Sequence, residues 1–318
     1  MSLVGYIGEV IEYLHDPRAF RNRYLPEFEF LNVNRRQFQY IDELASGYTA
    51  ETFLFNEIDK DGNPLRQVAV KIAQEAIDDQ TIITELNYLA ILQNARHIVD
   101  IIDIDQGPLR RPVLVTEFLS NGTMYDLQRR IIFTGQLMPN RLLWRFFLCC
   151  DLLPAEVEHT LSPIVKMIDF GAAVMTDPDN SSSIGDKSGI TRNIKDVGYV
   201  MQMFATQDLN RSNLLRNVVT VPGRTPFDSY VSPGLPRAAA LDPDLKLLIG
   251  WCLAQKDIDR VPLDVLLDTC EHAVATRTEA YYQANPVPGS DETDDRLRAF
   301  LRDLIFDPII PDEEADVL

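Results

Sequence analysis

Ile164-Val165-Lys166-Met167-Ile168-Asp169-Phe170-Gly171 is the stretch on which the reading of this chain turns. An apolar, largely β-branched run closes on Asp-Phe-Gly, and the chain then becomes small and polar. That pattern predicts a strand feeding a turn. A carboxylate at such a strand end can sit beside a metal ion that is itself bound to phosphate. Three residues recur by chance, and an ordinary strand followed by an acidic turn explains them equally well. The sequence upstream decides between the two.

Moving outward from that stretch, residues 38–44 and 52–58 read as strands, joined through Ala45-Ser46-Gly47-Tyr48-Thr49-Ala50. Asp61-Gly62-Asn63 is a hairpin signal, and the third strand, 65–73, carries Val68-Ala69-Val70-Lys71. A lysine that ends a buried β-branched strand is costly unless it has a partner; otherwise it snorkels to water from an edge. A long helix is predicted over 77–95, with Leu86, Leu89, Ala90 and Leu92 on one face and Glu85 one turn before Leu89. By itself Glu85 is a solvated helix glutamate. Residues 98–104 and 112–117 read as two further strands, bounded by Gln106-Gly107-Pro108.

In this order the residues resemble the protein kinase family. Val68-Ala69-Val70-Lys71 is similar to the strand motif V-A-I-K, Glu85 to the helix glutamate that pairs with its lysine, and Asp169-Phe170-Gly171 to D-F-G. Leu114-Val115-Thr116-Glu117-Phe118-Leu119 looks like a gatekeeper and hinge, with Thr116 as the gatekeeper, and Asn121-Gly122-Thr123 like the turn that follows. The resemblance covers roughly residues 38–270. It implies an α+β, two-lobed fold: a small antiparallel β-sheet lobe with one long helix over 38–119, then a mostly helical, shortened lobe over 120–285. Residues 1–37 are an N-terminal extension with helical spacing of Val4, Ile7, Val10, Ile11 and Leu14, and 286–318 an acidic tail containing a helix over 295–306. It also implies ATP and Mg²⁺ as cofactors. Gly47 and Ala69 would lie against the nucleotide, Lys71 would hold its phosphates and Glu85 would orient Lys71. Glu117 and Leu119 would offer backbone groups to adenine beside Thr116, and Asp169 would bind the metal.

The family pattern also fails in places. G-x-G-x-x-G reads Ala45-Ser46-Gly47-Tyr48-Thr49-Ala50, so only the middle glycine survives. An added methyl restricts φ and weakens a phosphate-cradling loop. His-Arg-Asp is absent from the chain. Two readings of the gap stand. In one, Cys149 to Glu156 is a decayed catalytic loop with Asp151 as its catalytic aspartate. In the other, helix end and loop are missing together, residues 151–163 are the hairpin before Asp-Phe-Gly, and the junction at Cys150–Asp151 marks an excised segment. Ala-Pro-Glu is absent too, so Arg260, whose family partner is that glutamate, needs another. Ser181, Ser182, Ser183, Ser188 and Thr191 are accessible hydroxyls in the intervening loop. The helix over 140–150 is short, which predicts that the helices from Asn193 and Asp244 lack a full central partner and that the second lobe is loose.

Bulk properties bound the partners. The net charge is −18, from 30 basic and 48 acidic residues, which argues against a nucleic-acid or anionic-membrane partner. It leaves ATP and a protein substrate or protein partner. The cysteines, Cys149, Cys150, Cys252 and Cys270, show no paired metal or disulfide spacing, so a reducing, cytoplasmic setting is expected. No secretory signal or uncharged apolar run of spanning length is visible; Leu142 to Leu153 is broken by Arg145 and Asp151. Three expectations follow: a Ser/Thr protein kinase with impaired transfer, a pseudokinase that binds nucleotide or a partner, or the product of a truncated gene.

Overall fold

The computed structural model describes residues 37–104, 111–149, 165–171, 173, 189–208 and 213–308. Asp151 and the rest of the 150–164 segment, the N-terminal extension to residue 36, the serines at 181–183 and 188, and the end of the acidic tail lie outside the described residues. The fold is α+β, and by contacts the chain divides into two units. The first takes in the described residues up to Asn94, Ile98–Leu119 and Ile168–Ala173; the second takes in Ala95–His97 and the remainder.

The first unit is a four-stranded antiparallel sheet in sequential order: β1 (Gln37–Ser46), β2 (Ala50–Ile58), β3 (Pro64–Ala73) and β4 (Val113–Glu117). Period-two alternation sets its faces. Val68 and Val70 stand opposite Phe55 and Phe53 on β2, and Val70 opposite Val115 on β4. These side chains form a core with Phe38, Ile72, Ile102 and Val113. The residues between them, Ala69 and Lys71, stand opposite Leu54 and Thr52 on β2 and Thr116 and Leu114 on β4, so all share the other face. The β2–β3 hairpin turns at Gly62, whose φ of +83° is a conformation glycine enters without steric cost.

Helix α1 (Asp79–Ile91), entered through a 3₁₀ turn at Ala76–Asp78, lies against β3 and β4. It is shorter than the predicted 77–95. Asn94, at φ +75°, takes the left-handed conformation that stops a helix and that asparagine tolerates. The predicted strand over 98–104 is reduced to isolated bridges at Ile98 and Ile101, the latter with Thr116. Neighbouring Ile98 and Val99 are both buried, so the alternation a strand needs is broken.

The second unit holds α2 (Met124–Thr134), α3 (Asn140–Cys149), α4 (Gly189–Thr206), α5 (Gly234–Arg237), α6 (Pro243–Cys252), α7 (Leu263–Thr276), α8 (Glu279–Ala284) and α9 (Asp294–Leu301), which runs into a π-helical turn at Arg302–Phe306. Helix α2 begins with a reciprocal capping box between Thr123 and Asp126 and ends on left-handed Gly135. Every residue of α3 is buried, and it packs against α4 and α7. Ile194, Met201 and Phe204 of α4 are buried, with the Phe204 ring edge-on to Phe146 at 6.2 Å, so the central contact predicted to be missing is filled. Part of the filling comes from α9 and its π turn: Phe300, Leu301, Leu304 and Ile305 join the same core. A β-hairpin, β5 (Leu215–Val219) and β6 (Phe227–Val231), went unread in the sequence. Cys149, Cys252 and Cys270 are buried free thiols. No helix among the described residues is long and apolar enough to cross a membrane.

Candidate functional site

The site lies within the first unit and is centred on the Lys71 ammonium. Strand β3 delivers Lys71 to the sheet face opposite the apolar core, and α1 delivers Glu85 from one side. Lys71 Nζ donates to Glu85 Oε2 at 2.8 Å and to Asp169 Oδ1 at 2.9 Å. Glu85 is 2% exposed, and its second oxygen is used as well: Phe170 N–H donates to Oε1 at 3.1 Å. One buried carboxylate thus fixes both the lysine and the backbone that follows Asp169.

Asp169 is held differently. Its φ is +66°, a region costly for L-residues but open to aspartate, whose short side chain bonds locally. Gly171 N–H donates to Asp169 Oδ1 at 3.4 Å, the same oxygen that receives Lys71. Among the described residues Oδ2 accepts no hydrogen bond, and the side chain is 68% exposed. Gly171 is required by space: a Cβ there would lie 2.7 Å from Thr81 Cγ2 on α1.

Two titrations are displaced. Burial alone would push the Lys71 ammonium down, but the hydrogen bonds and charges of Glu85 and Asp169 outweigh it, and the group is held above its ordinary value. Burial works to raise the Asp169 carboxyl, yet the Lys71 hydrogen bond and charge, with the Gly171 amide, hold it below the usual carboxylate range. At neutral pH the pair is therefore firmly ionised.

The remaining predicted residues fall around this centre. Ala69 and Thr116 are register partners on the Lys71 face of the sheet. Glu117 ends β4; its N–H donates to Asp100 O at 3.0 Å and its carboxylate accepts Asp100 N–H at 2.8 Å, which pins the segment leading to Leu119. Gly47 lies in the β1–β2 turn, where its N–H donates to Ala50 O at 2.9 Å and a Cβ would meet that oxygen at 3.2 Å. Ala50 is buried opposite Ala73, whereas Tyr48 at the tip of the turn is 97% exposed.

Sequence reasoning missed two contributors to the site and one residue that acts within the second unit. Gln74, just past β3, ties the turn down: its side chain donates to Gly47 O at 2.9 Å and its N–H to Thr49 O at 2.9 Å. Thr81 sets the space for Gly171. In the second unit, His97 accepts Met167 N–H on its carbonyl at 2.7 Å while its Nδ1 lies 2.9 Å from Val165 O, and the strand predicted over 164–168 is reduced there to an isolated bridge residue at Met167. None of the three belongs to a motif, and only contacts reveal them.

A metal ion would find one exposed carboxylate here. No group of three or more His, Cys, Asp or Glu side chains able to hold a metal occurs among the described residues. That donor set does not fit a self-standing metal centre. It fits Mg²⁺, which keeps several waters and is commonly held by one or two carboxylates plus the phosphates of its ligand. Comparison of the chain with protein-family models finds no match, and a search of curated proteins finds none either.

Proposed function

We propose that the first unit binds ATP with Mg²⁺ at the Lys71 face of the sheet, as part of a two-lobed, protein-kinase-like fold whose phosphate transfer is impaired. The observation that carries the reading is the double hydrogen bond of Lys71 Nζ, 2.8 Å to buried Glu85 and 2.9 Å to exposed Asp169. A lysine fixed by one buried carboxylate is positioned to meet phosphate oxygens. A second, exposed carboxylate beside it has an oxygen left over for a cation. Glu85 holds Lys71 and the Phe170 backbone in place, which supports a site whose lysine is fixed by the protein itself. Ala69 and Thr116 share that sheet face, Glu117 ends β4 and Leu119 follows it, and these would receive the adenine. Mg²⁺ would supply charge neutralisation of the phosphates, with Asp169 as its protein ligand.

Transfer to a Ser/Thr hydroxyl asks more than binding: a base and a second metal ligand must be placed as well. Asp151 is the only candidate base that the sequence offers at a workable spacing, and the family's asparagine has no counterpart in Cys149 to Glu156. Slow or absent transfer is therefore expected, and a pseudokinase role with nucleotide as a structural ligand follows.

Thermal denaturation of the full chain with Mg·ATP tests the binding step. A ligand of native protein alone adds RT ln(1 + [L]/Kd), about 1.4 kcal/mol when ATP is near tenfold above Kd. A rise in Tm that is lost in Lys71→Met is expected; an unmoved Tm at millimolar Mg·ATP overturns the proposal. Robust transfer from labelled ATP that Asp151→Asn abolishes would overturn the impaired-transfer reading and establish an active enzyme.

A further inference from the structure

Among the described residues, the second unit carries a strand edge with no partner strand beside a lysine with no ion pair. Strand β6 is covered on both sides: it pairs with β5, and beyond it Tyr230 N–H donates to Leu253 O and Gln255 N–H donates to Asp228 O. Strand β5 pairs with β6 alone among the described residues. Its outward N–H and C=O groups form a template for a further strand. Leu215 and Val218 on this edge strand are 51% and 59% exposed, an unusual load of apolar surface for an unprotected edge.

A groove of about 280 Å³ runs along the same strand. Four consecutive residues, Asn217 to Thr220, line it, although successive side chains point to opposite faces of a strand. The groove is thus bounded by the C-terminal end of β5, and no residue of β6 lines it. Its opposite wall comes from α5 and α6 and includes Pro236 and Lys246. Lys246 Nζ reaches only the Pro236 carbonyl, at 3.5 Å, and forms no ion pair among the described residues. Burial alone pushes its ammonium below the ordinary value, with no carboxylate acting against that push.

We propose that the β5 edge docks an extended peptide that carries an acidic residue among alternating apolar ones. Its backbone adds a third strand to the hairpin, an apolar side chain enters the groove beside Val218 and Pro236, and its carboxylate pairs with Lys246. This mode of recognition draws affinity from main-chain hydrogen bonds and specificity from alternate side chains. The chain's net charge of −18 does not forbid it. Repulsion from distant carboxylates is screened beyond about 8 Å at physiological salt, whereas Lys246 acts at contact.

The test selects binders to the full chain from a displayed library of random octapeptides, then measures a labelled synthetic copy of the enriched sequence. Enrichment of alternating apolar residues around one Asp or Glu is expected. So is at least a tenfold weakening of Kd by Lys246→Met and by Val218→Lys, with slowed amide exchange over Leu215–Val219 when peptide is bound. Lys246→Met removes charge from a partly exposed site, so it reports even if Val218→Lys perturbs the hairpin. No enrichment, equal binding to Lys246→Met, or binding without protection of β5 would overturn the proposal. Concentration-dependent dimerisation of the free chain that Val218→Lys abolishes would do the same, since the edge would then serve a second copy.

Discussion

Removing the charge of Glu85 should cost the first unit more than removing that of Asp169, although both carboxylates touch the same ammonium at nearly equal distance. Burial makes the difference. Glu85 is 2% exposed and accepts from both Lys71 Nζ and Phe170 N–H, whereas the Asp169 side chain is 68% exposed. Deleting one member of a buried pair costs about 3–5 kcal/mol. That range is an upper bound, because Lys71 is partly exposed and keeps Asp169. Glu85→Ala, which also orphans the Phe170 amide, is therefore set at about 3 kcal/mol. Glu85→Gln keeps two acceptor lone pairs on one oxygen and should cost about 1–2 kcal/mol. The Asp169 pair is screened by water and contributes at most about 1 kcal/mol. Asn is the fitting replacement there, because it tolerates the left-handed φ of +66° as aspartate does.

The assay is native-state hydrogen exchange at Val70 and Ile72, buried core positions of β3, with protection converted to an opening free energy. Double-mutant cycles with Lys71→Met separate the pairwise energies from the cost of each truncation. A Lys71–Glu85 coupling of about 1.5–3 kcal/mol is expected, against less than about 1 kcal/mol for Lys71–Asp169. Equal couplings, or an Asp169→Asn loss that matches Glu85→Ala, would refute the reasoning that burial ranks these two contacts.

The same pair sets a pH window. Asp169 has a depressed folded pKa, so its contribution is present above about pH 4 and fades as pH falls through the folded value. Lys71 has a raised one, so its contribution is present below about pH 10.4 and fades as pH rises further. Opening free energies of β3 measured across that range should form a plateau with two falling limbs, and Lys71→Met should flatten both. Gly171→Ala should destabilise the first unit by about 1–3 kcal/mol, because its Cβ would sit 2.7 Å from Thr81 Cγ2; pairing it with Thr81→Ser, read by the same exchange, should recover part of the loss. In the second unit, Glu292→Ala removes a buried carboxylate that accepts Asn140 N–H at 2.8 Å and Arg141 N–H at 3.0 Å at the start of α3. A loss of about 2–4 kcal/mol is expected in urea titrations followed by tryptophan fluorescence, since Trp144 and Trp251 both belong to this unit.

How far the sequence could be read depended on whether a signal was local. Strands β1 to β3 and the Gly62 turn were legible because period-two alternation and an Asp-Gly-Asn turn are short-range patterns. The pairing of Lys71 with Glu85 was legible only through a motif, since nothing over a separation of 14 positions dictates that contact. The segment after Asn94 was misread because composition favoured a strand while adjacent buried Ile98 and Val99 broke the alternation. The β5–β6 hairpin carried a readable signal in Val218-Val219-Thr220-Val221-Pro222-Gly223, with Gly223 at φ +77°, that was passed over. The helix expected over 295–306 in the acidic tail is present as α9 and its π turn. What acidic composition did not announce is that Phe300, Leu301, Leu304 and Ile305 enter the core of the second unit. Gln74, Thr81 and His97 act through contacts distant in sequence or through backbone groups, and no pattern announces such roles.

Arg260 shows how a chain can depart from the pattern it resembles and still pair a buried charge. The resemblance pairs this arginine with a glutamate that the chain does not contain, and a buried guanidinium left without partners would cost several kcal/mol. Arg260 is 5% exposed. Its Nη1 donates to Thr191 O at 2.7 Å, its Nη2 donates to Ala254 O at 3.1 Å, and Nη2 lies 3.0 Å from Asp257 Oδ1. Thr191 belongs to the first turn of α4, and Ala254 and Asp257 follow α6, so the arginine joins two helices through groups that any sequence supplies, backbone carbonyls, plus one local carboxylate. Neutralising the charge therefore requires no distant acid. Stability and transfer chemistry separate on this account: Arg260→Met should loosen α4 against α6 whether or not the chain transfers phosphate, and amide exchange over Val197 to Phe204 in that variant, compared with the parent, reads the difference.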